Sequence, residues 1–318
     1  MLGYVAARLL ATIPVLVGVS LVVFLSMKLI PGDAAEVLAG PQASADQVEL
    51  LRASLGMDKP IYVQYGTWLG RAVRGDLGRS IHLQAPVTEM VVERFKNTLI
   101  LALAAALIAA VVGVTAGILS ATRPFSLIDR LSMVLALFGN SMPTFWLGLV
   151  LILVFSLGLH LFPSNGMYSL RGPGGDLGDL VHHLALPAVT LSGVPAAVLA
   201  RLTRSSLLET LNDDYIRTAR AKGLREPVVV VKHALGNALL PVVTLMGIQL
   251  GYLLGGSIRV ETVFSWPGLG LQLYDAIGSR DLPLIQGGVL LVALVFVVTN
   301  LLVDLLYAFL DPRIRYGE

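Results

Sequence analysis

Six apolar runs divide the 318-residue chain, at residues 9–27, 97–122, 131–162, 184–200, 234–258 and 284–303. A helix needs roughly 20 residues to cross a bilayer core about 30 Å thick, so the pattern predicts six transmembrane helices and an all-α membrane protein. The first run lies between Arg8 and Lys28, and the lysine stem can snorkel to the interface. It is longer than the usual apolar core of a secretory signal, about 7–15 residues, and no small-residue cleavage site follows directly. It therefore reads as a retained helix. The second run is rich in Ala and Gly, which suit close packing in lipid. The third is too long for one straight span and is interrupted by Asn140-Ser141-Met142-Pro143. Pro143 removes a backbone donor and should break the helix there. Such a break marks either a wall of a pathway or a packing kink bonded by Ser141 or Thr144. The fourth run is short and contains Pro187 and Pro195, whereas Gly247, Gly251, Gly255 and Gly256 give the fifth a close-approach face.

The polar stretches set the organisation. Residues 31–96 hold no span-length run and read as a small folded insert outside the membrane, with helices near 46–55 and 61–74. Residues 1–30 form the first helix, 97–308 a five-helix core and 309–318 a tail. Composition agrees: 55% hydrophobic and 14% charged residues lie outside the soluble range. No cysteine is present, which removes disulfides and thiolate chemistry. His182 and His183 are adjacent, do not converge on one helix face and carry no HExxH pattern, so they are not read as metal ligands. Of the 23 Lys and Arg, twelve fall on the side holding both termini, the 123–130 loop and the 201–232 segment, and the positive-inside rule makes that side cytoplasmic.

The most charged interruption is residues 209–241. Asn212 or Asp213 is placed to cap a short helix, Asp213 stands four residues before Arg217, and Gly223 follows the last helical residue, where a left-handed turn is cheapest. Leu208, Leu211, Tyr215 and Ala219 form an apolar stripe, and Arg217, Arg220, Lys222 and Arg225 a basic flank. On this pattern alone the segment either docks into a groove of another protein or lies on anionic headgroups.

Two ordered motifs here, Asp214-Tyr215-Ile216-Arg217-Thr218-Ala219-Arg220-Ala221-Lys222-Gly223 and His233-Ala234-Leu235-Gly236-Asn237-Ala238-Leu239-Leu240-Pro241, resemble the EAA loop of binding-protein-dependent ABC transporter permeases. Arg217 and Thr218 stand where the general motif has Glu and Ala, as is usual in the peptide branch. Leu29-Ile30-Pro31-Gly32-Asp33, Leu55-Gly56-Met57-Asp58-Lys59-Pro60 and Gly75-Asp76-Leu77-Gly78-Arg79-Ser80 resemble the N-terminal region of the B-type permease of dipeptide and oligopeptide importers. Glu261-Thr262-Val263-Phe264-Ser265-Trp266-Pro267-Gly268-Leu269-Gly270 and the closing Leu310-Asp311-Pro312-Arg313-Ile314-Arg315 match the same family.

The resemblance implies a type I ABC importer transmembrane domain in the bacterial inner membrane, importing di- or oligopeptides or similar small solutes. Its partners would be two ABC ATPase subunits or one double ATPase, a second related permease and an extracytoplasmic solute-binding protein, with no nucleic acid. It implies a coupling segment at 201–233, with Asp214, Tyr215, Arg217, Thr218, Ala219, Ala221, Lys222, Gly223 and Leu224 contacting the ATPase. No GxxxxGK[ST] occurs, so ATP and Mg belong to the partners and this chain carries no cofactor. Asn140, Ser141, Thr144, Gln249 and Asn300 are polar groups in or beside spans and are candidates for the translocation pathway or for glue between helices. Trp266 and the section around it either touch the binding protein or plug the outer mouth. An ion-coupled secondary transporter is the alternative, but its usual ionisable groups are nearly missing from these runs. An intramembrane enzyme lacks a positioned nucleophile and base.

Overall fold

The computed structural model describes residues 2–29, 43–54, 56–169 and 175–310. Outside the described residues lie all but Leu29 of the motif beginning there, the start of the expected insert through residue 42, Leu55, residues 170–174, and the expected 309–318 tail from residue 311 on. Among those described, the chain is helical and no strand forms. In order the helices are α1 (Leu2–Leu29), α2 (Ala45–Ser54), α3 (Ile61–Val73), α4 (Val87–Thr122), α5 (Leu127–Ser141), α6 (Thr144–Leu151), α7 (Leu177–Leu211), α8 (Asp214–Ala221), α9 (Glu226–Val228), α10 (Leu235–Ala238), α11 (Leu240–Gly256), α12 (Ile258–Val263), α13 (Leu269–Ser279) and α14 (Leu282–Leu310). Wider π turns continue α6 through Ile152–Gly158 and join α9 to α10 through Val229–Ala234.

Among the described residues three helices, α4, α7 and α14, are long and apolar enough to cross a membrane. Two more spans arise if each bent pair counts as one: α5 with α6, turning by 108°, and the 226–238 segment with α11, turning by 52°. The 28-residue α1, apolar over the shorter stretch Leu10–Ser26, stands where the first span is expected.

Several limits differ from the apolar pattern. The helix that holds the second apolar run starts at Val87 rather than 97, so the expected boundary at residue 96 falls inside one helix. The fourth run is the middle of a 35-residue helix, Leu177–Leu211, that passes through both prolines and carries the first residues of the expected 201–233 segment. Polar residues at its ends conceal its length, because hydropathy registers only the part in lipid. The break at Pro143 falls where expected: α5 stops at Ser141, Met142 is extended, and Pro143 starts the next helix.

The centre of the molecule is the contact of α4 with α7. In lipid, apolar side chains gain nothing by leaving the acyl tails, so close approach supplies the attraction. Gly113 and Gly117 provide it: a Cβ at residue 113 would stand 2.6 Å from the Ala196 carbonyl oxygen, and one at 117 would stand 2.5 Å from the Thr203 Cβ. Gly247 plays the same part between α11 and Val303 of α14, as its spacing predicted, while nothing lies near Gly255. Ala109, Leu199 and Val242 pack beside the Gly113 contact, and Leu101, Ala105, Leu186, Leu191, Leu253, Phe264 and Trp266 form the main core.

The insert is fastened at two places. Tyr65 of α3 bonds the Ser20 hydroxyl of α1 (2.8 Å), beside ring contacts of Phe24 with Tyr65 and Trp68. Further on, the buried Asp281 carboxylate accepts from the Ser80 hydroxyl and from the N–H groups of Ile81 (3.2 Å) and His82 (3.3 Å).

Candidate functional site

At the end of the bundle where α4 and α7 finish, α8 is held by a small core of its own. Ile216 is fully buried and Ala219 nearly so, among Ala121 of α4, Leu207 of α7 and Val229, Val230, Ala234 and Ala238 of the returning segment. Ile216 is the one large aliphatic residue within Asp214–Ala221, and Ala219 follows at a spacing of three, so these two form the inward stripe. Of the stripe expected from Leu208, Leu211, Tyr215 and Ala219, three members pack on this core, Leu208 and Leu211 from the end of the preceding helix, while Tyr215 is exposed and is corrected.

The ends of α8 fix its pose. Asp213 occupies the N-cap in an extended conformation but makes no side-chain cap bond. The acid–base pair on the helix is Asp214 with Arg217 (3.5 Å), rather than Asp213 with Arg217. At the other end Gly223 takes φ +77°, its N–H donates to the Arg220 carbonyl (2.9 Å), and the Leu224 N–H donates to the Ala219 carbonyl (3.4 Å). This is the paired arrangement by which a left-handed glycine closes a helix.

Two side chains brace α8 from outside. The Arg220 guanidinium grips the Glu226 carboxylate at 2.6 and 3.1 Å and reaches the Leu211 carbonyl at 3.2 Å. Its hydrogen bond to Glu226 raises the Arg220 pKa from its ordinary value. The Tyr215 hydroxyl accepts from Asn237 (3.0 Å) and lies 3.4 Å from the His233 carbonyl, so the second half of the motif holds the first. A cleft of about 540 Å³ runs between Arg123, Leu211, Arg220, Glu226 and Val231. Behind it, Arg204 of α7 grips the buried Asp129 of α5 at 2.6 and 2.8 Å. The sequence reading missed this pair because its members stand 75 positions apart.

Of the nine residues expected to contact an ATPase, Ala219 faces inward and Tyr215 is tied to the return segment. Asp214, Arg217, Thr218, Ala221, Lys222, Gly223 and Leu224 are exposed at one end of the molecule.

The five pathway candidates fall into two groups. Asn140, Ser141 and Thr144 flank the 108° break, whereas Gln249 and Asn300 lie on the packed pair α11 and α14. Asn140 and Ser141 are exposed and the other three half-buried. Among the described residues no hydrogen bond within the chain is made by any of the five side chains. His182 and His183 point to different acceptors, the Leu161 carbonyl (2.7 Å) and the Asp179 carbonyl (2.9 Å).

At the far end, the segment around Trp266 is a buried knot. Glu261 is fully buried and accepts from Thr98 (2.8 Å), Ser257 (2.8 Å) and the Leu271 N–H (3.0 Å). Trp266, fully buried too, donates from its indole to the Asn97 carbonyl (3.0 Å). Of the two expectations for this section, contact with the binding protein or a plug in the outer mouth, the first finds no surface at Trp266 itself, whose enclosed indole pins its loop to α4.

Residues 113–316 match the profile of the binding-protein-dependent transport system inner membrane component, and residues 1–102 match that of its N-terminal segment. The glutathione transport system permease protein GsiC of Escherichia coli O6:H1 strain CFT073 is 48% identical, over 99% of this chain and all of that protein. The same-named proteins of Escherichia coli K12 and Shigella dysenteriae serotype 1 are 47% identical over the same shares. Among solved structures, an inward-facing MetNI methionine ABC transporter matches with TM-score 0.56 and 22% identity, over 70% of this chain and 96% of that one. An amino acid ABC transporter crystallised with histidines gives 0.52 and 16%, over 71% and 94%. These structures share the helical fold of type I importer permeases. With both profiles and the full-length relatives in agreement, the chain belongs to the binding-protein-dependent transport system inner membrane components and is a multi-pass permease subunit of an ABC importer.

Proposed function

We propose that this permease imports a small peptide of the glutathione class, driven by separate ATPase subunits that engage α8. The observation that carries the substrate class is the identity of 47–48% with glutathione permeases over essentially the whole chain. The outward set Asp214, Arg217, Thr218, Ala221, Lys222 and Leu224 supports the engagement, because these side chains are exposed on a helix whose opposite face is fixed in a dedicated core. In this reading the α8 end is cytoplasmic, both termini lie on that side, and a second related permease completes the pathway. Asn140, Ser141, Thr144, Gln249 and Asn300 then face the solute or the second permease. An extracytoplasmic binding protein delivers the peptide, and ATP binding and hydrolysis in the partners bias two global states through α8.

The test is reconstitution of the chain with its genetically adjacent permease, ATPase and binding protein into liposomes containing ATP. ATP-dependent uptake of labelled glutathione, weakly inhibited by dipeptides, is expected. Uptake of dipeptides without glutathione would overturn the substrate class. Uptake without ATP would overturn the coupling.

A further inference from the structure

We infer that α3 is not a water-borne part of the insert but lies in the membrane interface, with its uncovered apolar edge embedded in the lipid leaflet beside α1. Two independent observations carry this: the depth at which α3 meets α1, and the division of its surface.

The depth follows from Tyr65. Its hydroxyl stands 2.8 Å from the Ser20 hydroxyl and 3.5 Å from the Val17 carbonyl oxygen. Val17 and Ser20 flank the middle of the apolar stretch Leu10–Ser26. At 1.5 Å per residue, Val17 is about 14 Å below the end of that stretch, close to half of a roughly 30 Å hydrocarbon core. A tyrosine side chain is far shorter than that distance, so the α3 backbone sits at or below the headgroup boundary. Ser20 supplies the partner that a phenol at such depth requires.

The surface of α3 divides at the helical period of about 3.6 residues per turn. Trp68, Ile61, Ala72, Tyr65, Leu69, Tyr62 and Val73 fall on one broad arc, whereas Val63, Thr67, Arg71 and Gln64 fall on the other. The α1 helix covers only one edge of the apolar arc, through the contacts of Phe24 with Tyr65 and Trp68. The other edge is left open: Tyr62 is 75% and Val73 80% exposed. The adjoining span also exposes apolar side chains, at Leu21, Val22 and Leu25, so the lipid that coats α1 is at hand to cover α3. Arg71 and Arg74, both exposed, stand at the C-terminal end, where cations meet lipid phosphates. Immediately beyond, Ser80 is bonded to Asp281, so α3 anchors in the bilayer a loop that the core holds from the other side.

The absence of cysteine makes the test direct. Single nitroxide labels at Tyr62→Cys, Val73→Cys, Thr67→Cys and Arg71→Cys are introduced into the full chain, purified with whatever subunits accompany it and reconstituted in phosphatidylethanolamine/phosphatidylglycerol nanodiscs. All four positions are exposed, so the labels need not disturb packing. The ratio of collision rates with oxygen, which partitions into lipid, to those with a water-soluble nickel chelate is expected to be about threefold or more higher at 62 and 73 than at 67 and 71. Equal, chelate-dominated accessibility at all four would place α3 in water and overturn the proposal. Protection of 62 and 73 from both reagents would also overturn it, by showing that protein covers that edge. Neither outcome bears on the substrate or on α8.

Discussion

The carboxylate of Glu261 fills the space that Gly268 leaves by having no side chain. A Cβ at residue 268 would collide with the carboxyl carbon and both oxygens, which are held by Thr98, Ser257 and the Leu271 N–H. Gly268→Ala should therefore expel a buried acceptor from its donors and destabilise the protein by about 2–3 kcal/mol. Gly278→Ala, where an added Cβ meets nothing within 4 Å, is the control. Thermal unfolding in detergent should separate the two variants clearly; equal midpoints would sink the packing argument.

Asp281→Ala removes the acceptor for Ser80, Ile81 and His82. The segment after α3 should come loose while the helix bundle persists. Limited proteolysis should then cut between residues 79 and 85 at least about tenfold faster than in the parent, in line with the loss of about 1.4 kcal/mol or more of local stability. An unchanged cleavage rate would mean that the insert is held elsewhere.

The Arg220–Glu226 grip is half-exposed, at 40% and 57% of the two side chains. Solvent screens such a pair, so Arg220→Ala and Glu226→Ala should each reduce stability by no more than about 1 kcal/mol. The double variant should cost little more than the costlier single one, because the two share one interaction. Additive losses in chemical denaturation would show that each side chain acts independently.

Gly223→Pro fixes φ near −65° and deletes an N–H, at a residue with φ +77° whose N–H bonds Arg220. ATP-driven uptake should be abolished while the chain still inserts, and Ala219→Pro should act alike. Gly223→Asn should retain most uptake, since asparagine tolerates the left-handed region. Full uptake by the proline variants would remove α8 from the coupling role.

Residues that act through periodicity were legible in the sequence. The apolar runs located the spans, Pro143 located the break, and Gly223 located the end of α8, because each rests on local chemistry. The lengths of α4 and α7 were not legible, since their charged ends at Glu89–Lys96 and Arg201–Glu209 interrupt the apolar pattern while remaining helical. The pairs that assemble the sites, Asp129 with Arg204, Ser80 with Asp281 and Thr98 with Glu261, join residues 75, 201 and 163 positions apart. No local pattern marks such partners. Ile216 was within reach: a lone large aliphatic residue in a charged helix has to be buried somewhere.

The unbroken run of α7 has a mechanical corollary. Its 35 residues extend over about 52 Å. Near one tip Asp179 holds Ser169, and near the other Leu207 closes the pocket of Ile216. A rod of that length, pivoting by about 10° at its middle, carries its two tips about 4–5 Å in opposite senses. The geometry is that of a lever: a turn about its middle moves the α8 end and the Asp179 end in opposite senses.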